Sequence, residues 1–187
     1  MTLDMEGLTL QATEGNFFQV NWEQNRNMVR TVLDFSEPDS GDTVLDLYCG
    51  IGNFSLPLAK QAEKVIGIES GFAAIEDAKK NAALNNITNT EFIADDLQKG
   101  LKPLLERKLK AGVVVLDPPR AGAEAQAREL AASDIRRVAM VSCNAATFGR
   151  DLSIMLASGW RVTRITPVDQ FLWSAHIEIV AALERKA

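Results

Sequence analysis

Apolar residues fall in short runs separated by stretches in which they recur every three or four positions. Such an alternation predicts buried strands joined by helices. The runs place strands at Thr43 to Leu47, Val65 to Glu69, Thr90 to Ala94, Val113 to Asp117, Arg137 to Val141, Arg161 to Pro167 and His176 to Leu183. Helical spacing appears between them, notably over Ala73 to Asn85, Ala125 to Ala132 and Ala146 to Leu156. Upstream, Leu8-Thr9-Leu10 reads as a strand. Asn21 is placed to cap a helix running to about Phe35, with Met28, Val32 and Phe35 on one face. No helical pattern separates the last two strands, so they are expected to pair antiparallel, because parallel neighbours need a long crossover. The pattern is that of an α/β fold with a mostly parallel sheet and an antiparallel final strand.

Five βα units closed by such a pair are the outline of the class I, Rossmann-like methyltransferase fold. The 187 residues suffice for one domain of this kind, with residues 1–40 as an N-terminal strand and helix extension. Hydrophobic residues at 47% and charged residues at 24% exclude a disordered chain. The longest wholly apolar stretches, Val113 to Leu116 and Ile179 to Leu183, fall far short of the roughly 20 residues of a membrane span. Met1 to Gly15 carries acids and no basic region before an apolar one, so a cytoplasmic protein is expected. A net charge of −5 argues against non-specific coating of nucleic acid, although a local basic groove remains compatible with it. Two cysteines and one histidine cannot supply a four-cysteine iron–sulfur cluster or an all-Cys/His zinc site, and no metal is expected.

Four motifs carry chemistry. Asp46-Leu47-Tyr48-Cys49-Gly50-Ile51-Gly52-Asn53-Phe54 follows the first sheet strand, where glycines let the backbone approach a ligand. Ser55 occupies the place of the third glycine of a dinucleotide fingerprint, which disfavours a pyrophosphate. Glu69, Asp95-Asp96 and Asp117 recur at the same rim of the sheet. A carboxylate at Glu69 suits two ribose hydroxyls, and the acidic rim suits a cationic sulfonium nucleoside, S-adenosylmethionine. A generic nucleotide-binding domain is the alternative. Asp117-Pro118-Pro119-Arg120 is a stiff exit from the fourth strand, where Arg120 either faces the substrate or pairs with Asp117. Ser142-Cys143-Asn144 ends the fifth strand beside it. Cys143 is a candidate nucleophile whose thiol pKa the following helix would lower, while Cys49 is assigned to packing. Trp173-Ser174-Ala175-His176-Ile177-Glu178 opens the final strand with His176 and Glu178 on one face, and Glu178 is a candidate proton acceptor.

With Phe17-Phe18-Gln19-Val20-Asn21, these motifs resemble, in order, those of the S-adenosylmethionine-dependent RNA uracil-5-methyltransferases, which make 5-methyluridine in transfer and ribosomal RNA. The resemblance implies cofactor contacts from Gln19, Tyr48, Gly50, Asn53, Glu69, Asp96 and Asp117. It implies Cys143 as nucleophile and Glu178 as general base, and Arg120 and His176 are candidate substrate contacts. Phe171, Trp173 and Phe148 are aromatic faces on which a flipped base could stack. Three positions depart from the family pattern. Ala145 stands where proline often follows Ser-Cys-Asn, Leu172-Trp173-Ser174 where Pro-His-Thr often precedes His-x-Glu, and Arg120 where the cytosine-5 branch has a second cysteine. The resemblance implies a 23S ribosomal RNA substrate, with transfer RNA as the alternative. A small-molecule methyltransferase and a non-catalytic scaffold are further alternatives. Family members usually carry an N-terminal RNA-binding domain, some with an iron–sulfur cluster, so this chain is expected to be a catalytic domain without it.

Overall fold

The computed structural model describes residues 2–17, 19, 21–101, 111–170, 173–174 and 177–185, with the backbone alone at 2, 3 and 99. A hairpin of β1 (Thr2–Met5) and β2 (Leu8–Gln11) comes first, followed by α1 (Trp22–Ser36). Then come β3 (Thr43–Leu47), the single turn α2 (Ser55–Leu58), β4 (Lys64–Glu69), α3 (Phe72–Leu84), β5 (Thr90–Ala94) and β6 (Val113–Leu116). The chain continues through α4 (Glu124–Ala131), β7 (Arg137–Ser142), α5 (Ala145–Ala157), β8 (Trp160–Val168) and β9 (Glu178–Arg185).

The main sheet has seven strands in the order β5-β4-β3-β6-β7-β9-β8. β3 to β7 pair in parallel, and β9 runs antiparallel to both β7 and β8. This is the expected class I methyltransferase arrangement. The strands are apolar on both faces because helices cover both. Val44, Val65, Val113, Val115 and Val180 pack with α1 and α3, through Met28, Val32, Phe35, Ile75 and Ala78. Leu45, Leu47, Ile66, Val114 and Leu183 pack with α4 and α5, through Leu130, Phe148 and Met155. Successive residues of β3 thus alternate between two cores, as a period of two requires. No helix among the described residues is long and apolar enough to cross a membrane.

Asn21 caps α1 as its sequence position suggests, its side-chain oxygen accepting from the Gln24 N–H at 3.2 Å. Two elements escape the pattern. β1 is four residues long and turns into β2 through Glu6 and Gly7, both left-handed, without the Asn-Gly or Asp-Gly that marks such turns. α2 is too short to show a helical period. Asp117 lies just beyond β6, and β9 begins at Glu178, with His176 outside the described residues.

Leu45, in a central strand and 1% exposed, tests the packed core directly. Leu45→Ala is expected to lower the unfolding free energy by about 2–5 kcal/mol at an unchanged denaturant slope, measured by urea titration.

Candidate active site

The strand order reverses between β3 and β6, which opens a crevice above their carboxyl ends. At the end of β3 the chain turns sharply: the Tyr48 and Cys49 N–H groups both donate to the Ile68 carbonyl, at 2.8 and 3.0 Å. Tyr48 adopts φ 66°, a left-handed conformation costing about 1–2 kcal/mol for a side-chain-bearing residue. Tyr48 lines the crevice, where burial and the nearby Glu69, Asp151 and Asp96 push its phenol up to about 12. Below the loop, Ser55 Oγ donates to Asp46 Oδ2 at 2.5 Å. Asp46 Oδ1 is buried without a partner, and burial pushes this carboxyl up to about 7. Asn53 exchanges two amide hydrogen bonds with the fully buried Asn25, at 2.9 and 3.1 Å. Asn25 therefore fixes the loop, a role its sequence position does not reveal. Cys49 packs inside the loop, its thiol pushed well up by burial.

A cleft of about 770 Å³ brings together Gln19, Tyr48, Gly50, Glu69, Asp96, Asp117, Arg120, Cys143 and Glu178. Asn53 lines a smaller pocket beside it that shares Gln19, Tyr48, Gly50 and Asp117. His176 and Phe171 lie outside the described residues. Glu69 Oε1 accepts from Ser70 Oγ and from the Gly71 N–H, both at 2.9 Å, which steadies the carboxylate, while Oε2 has no hydrogen-bond partner among the described residues. Asp96 Oδ1 accepts from the Gln98 N–H at 3.0 Å. Gln19 accepts from Nε2 of the buried Gln170 at 2.9 Å, another partner the sequence did not disclose.

The far wall is built from β6, β7 and β9. The β7–β9 ladder ends with Ser142 opposite Ile179, so continuing its register by one residue sets Cys143 opposite Glu178. The Asp117–Arg120 loop is tied to α5, whose N-terminus follows Cys143. Thr147 Oγ1 and Asn144 Nδ2 donate to the Arg120 carbonyl at 3.2 and 3.4 Å. Arg150 donates to the Ala121 carbonyl at 3.0 Å, and the fully buried Asp151 accepts from the Ala123 N–H at 2.6 Å. Gly122, at φ 77°, could carry no side chain there, since a Cβ would sit 2.6 Å from Asp151 Oδ2.

Two electrostatic expectations are corrected. The Cys143 thiol is pushed up, not down: burial and the Glu178 and Asp117 carboxyls outweigh its own backbone hydrogen bond and the charge of Arg120. The Arg120–Asp117 ion pair does not form among the described residues. Arg120 instead lowers Glu178 and Cys143 against the effect of burial. Asp117 is pushed up to about 8 by burial and by Glu178 and Asp46, and Glu178, 5% exposed, is raised by burial. Phe148 is buried in the α5 core and offers no stacking face, whereas Phe17 and Trp173 are exposed. The arrangement therefore sets a partly exposed thiol near a buried carboxyl at an acid-lined, nucleoside-sized cleft.

A family model described as tRNA (uracil-5-)-methyltransferase matches residues 2–186. The chain belongs to this family. Among its curated relatives, the 23S rRNA (uracil(1939)-C(5))-methyltransferase RlmD of Pseudomonas aeruginosa is 44% identical over 179 residues, 95% of this chain and 39% of that protein. The RlmD of Hahella chejuensis is 40% identical over 183 residues, 96% of this chain and 41% of that protein. The chain thus spans about two-fifths of the length of the curated relatives it matches. A solved member, the tRNA (uracil-54, C5)-methyltransferase of Pyrococcus abyssi in complex with S-adenosyl-L-homocysteine, superposes with a TM-score of 0.83 at 30% identity. That match covers 98% of this chain and 44% of the other. Trm5b of Pyrococcus abyssi, at 18% identity and a TM-score of 0.73, shares the fold.

For this uracil-5-methyltransferase family member, the charges around Cys143 set its reactivity. Iodoacetamide should label Cys143 and leave the buried Cys49 intact, with a rate that rises as pH climbs toward the elevated thiol pKa. At pH 8, Glu178→Gln is expected to label faster than wild type and Arg120→Ala slower, because removing the acid lowers the thiol pKa and removing the cation raises it. Mass-spectrometric rates at Cys143 check both signs.

Proposed function

We propose that residues 1–187 are the catalytic domain of an RNA uracil-5-methyltransferase that transfers a methyl group from S-adenosylmethionine to C5 of a uridine. The observation that carries this reading is the β7–β9 register, which faces Cys143 with Glu178 at the wall of a cleft lined by Glu69, Asp96 and Tyr48. The residues fit the cofactor: Gly50 leaves open space where a Cβ would stand, Glu69 Oε2 has no partner among the described residues and can meet ribose hydroxyls, and the cleft acids Glu69, Asp96 and Asp117 suit a cation. When bound, S-adenosylmethionine would supply an electrophilic methyl group on a positive sulfur, and would leave as the neutral thioether S-adenosylhomocysteine once that group is given up. The relatives at 40–44% identity are named for 23S ribosomal RNA, and the transfer-RNA enzyme is 30% identical, so 23S RNA is the preferred substrate and transfer RNA the second. A cytoplasmic location belongs to the same reading.

The residues divide the chemistry between them. C5 of uracil is a poor carbon nucleophile until C6 is attacked. Cys143 releases its thiol proton to solvent and its sulfur adds to C6, pushing an electron pair into an enolate with carbanion character at C5. Arg120, beside both Cys143 and Glu178, offers a positive charge to that enolate. C5 takes the methyl group. Glu178, whose burial makes it a stronger base than an exposed glutamate, then removes the C5 proton. The electrons left at C5 restore the C5–C6 double bond and expel the Cys143 thiolate. The uridine must leave its stack to reach this wall, and the exposed Phe17 at the cleft edge offers an aromatic face.

Glu178→Gln separates methyl transfer from proton loss. In the full-length protein, with S-adenosylmethionine and substrate RNA, it should accumulate a denaturation-resistant protein–RNA complex, while Cys143→Ala and the double variant form none. Turnover of folded Glu178→Gln at the wild-type rate would remove the base assignment.

A further inference from the structure

We propose that Asp77 and Asn81 of α3, with Asn85 at its C-cap, are positioning residues of the active site, holding β2 and the turn after it so that Phe17 and Gln19 reach the cleft. The proposal rests on reading that cleft as the S-adenosylmethionine site. β2 pairs with β1 along one edge. Along the other edge its backbone is met by side chains of α3 and its C-cap. Asn85 accepts from the Thr9 N–H and donates to the Thr9 carbonyl, both at 2.8 Å. Asn81 does the same for Gln11, at 2.8 and 3.0 Å. Asp77 accepts from the Thr13 N–H, from Thr13 Oγ1 and from Asn16 Nδ2, each at 2.7 Å.

The spacing explains why a helix face can replace a strand. Residues four apart on a helix rise about 6 Å, and alternate residues of a strand about 6.7 Å, so 77, 81 and 85 can stay in step with 13, 11 and 9. The residue types match what each must satisfy. Thr9 and Gln11 present a donor and an acceptor, which an amide answers. Thr13 and Asn16 present donors to α3, since the Thr13 carbonyl already accepts from the Asn16 N–H at 3.1 Å, and a carboxylate answers those. Asn81 is fully buried and Asp77 nearly so, an expensive choice for a face that merely packs.

The ladder leads to the cleft at two points. Asn81 also donates to the Ile51 carbonyl at 3.1 Å, joining β2 to the loop that bears Tyr48 and Gly50. Asp77 fixes the turn from Thr13 to Asn16, in which Gly15 is left-handed at φ 92°, and Gly15, Asn16, Phe17 and Gln19 then line the cleft. Gln19, delivered this way, meets Gln170.

Calorimetry with S-adenosylhomocysteine tests the proposal on wild type, Asp77→Ala, Asp77→Asn and Glu69→Ala, each held well below its melting temperature. An asparagine at 77 can accept from the Thr13 and Asn16 nitrogens with its oxygen and donate to Thr13 Oγ1. Asp77→Ala is therefore expected to bind about 3- to 10-fold more weakly, and Asp77→Asn to recover to within about twofold of wild type. A purely structural role would lower the melting temperature of Asp77→Ala and leave its affinity unchanged, which overturns the proposal. Equal weakness of Asp77→Asn and Asp77→Ala overturns it too. Should Asp77→Ala not fold, Thr13→Val combined with Asn16→Ala removes two of the three donors without touching α3, and the same weakening is expected. If wild type does not bind, or Glu69→Ala binds as wild type does, it is the cofactor reading that fails.

Discussion

The antiparallel pairing of β9 with β7 is the interaction on which the site depends. Six residue pairs, Arg137 with Glu184 through Ser142 with Ile179, set the ends of two strands that run in opposite directions. Because β9 enters the sheet at the edge where β7 leaves it, the residue after one strand faces the first residue of the other. A parallel β9 would begin at the amino-terminal edge and leave Glu178 a strand length from Cys143. The parallel ladders do the corresponding work for the cofactor wall: Leu47 is level with Ile68 and with Leu116, so the loops bearing Tyr48, Glu69 and Asp117 open into one crevice.

Convergence has an electrostatic consequence. Asp117 and Glu178 line one cleft, Asp46 is fully buried outside that lining, and each is harder to ionise than an exposed carboxyl. Burial, with the Glu178 and Asp117 carboxyls, makes the Cys143 thiol hold its proton more tightly than a free thiol. A cation in the cleft would favour the ionised forms of Asp117, Glu178 and Cys143. Arg120, held through its backbone by Asn144 and Thr147, opposes the effect of burial at both Cys143 and Glu178.

The fold was legible because strands buried on both faces read as plain apolar runs, and the absence of a helical pattern after β8 betrayed the antiparallel pair. The candidate residues were legible because they stand at strand ends, where short motifs survive intact in the chain: Tyr48 and Gly50 after β3, Glu69 on β4, Cys143 after β7. What holds them was not. Asn25 reaches Asn53, Asp151 reaches the Pro118–Ala123 loop, Gln170 reaches Gln19 and Asp77 reaches Thr13 across long stretches of sequence, and no local period records such contacts. The Cys143 thiol was misread for a related reason. Helix position is local and visible, whereas burial and the distant acids Asp117 and Glu178 are neither.

The central claim is that Cys143, facing Glu178, forms the bond to the pyrimidine. Fluorine at C5 cannot leave as a proton does, so an enzyme that adds to C6 and methylates C5 is trapped on 5-fluorouridine. Incubating the full-length protein with S-adenosylmethionine and its RNA substrate carrying 5-fluorouridine, followed by peptide mass spectrometry, locates the adduct. A methylated fluoropyrimidine nucleotide on the peptide containing Cys143 is the predicted result. An adduct on Cys49, or methylation of the unmodified RNA with no trapped species from its fluorinated counterpart, would contradict the account.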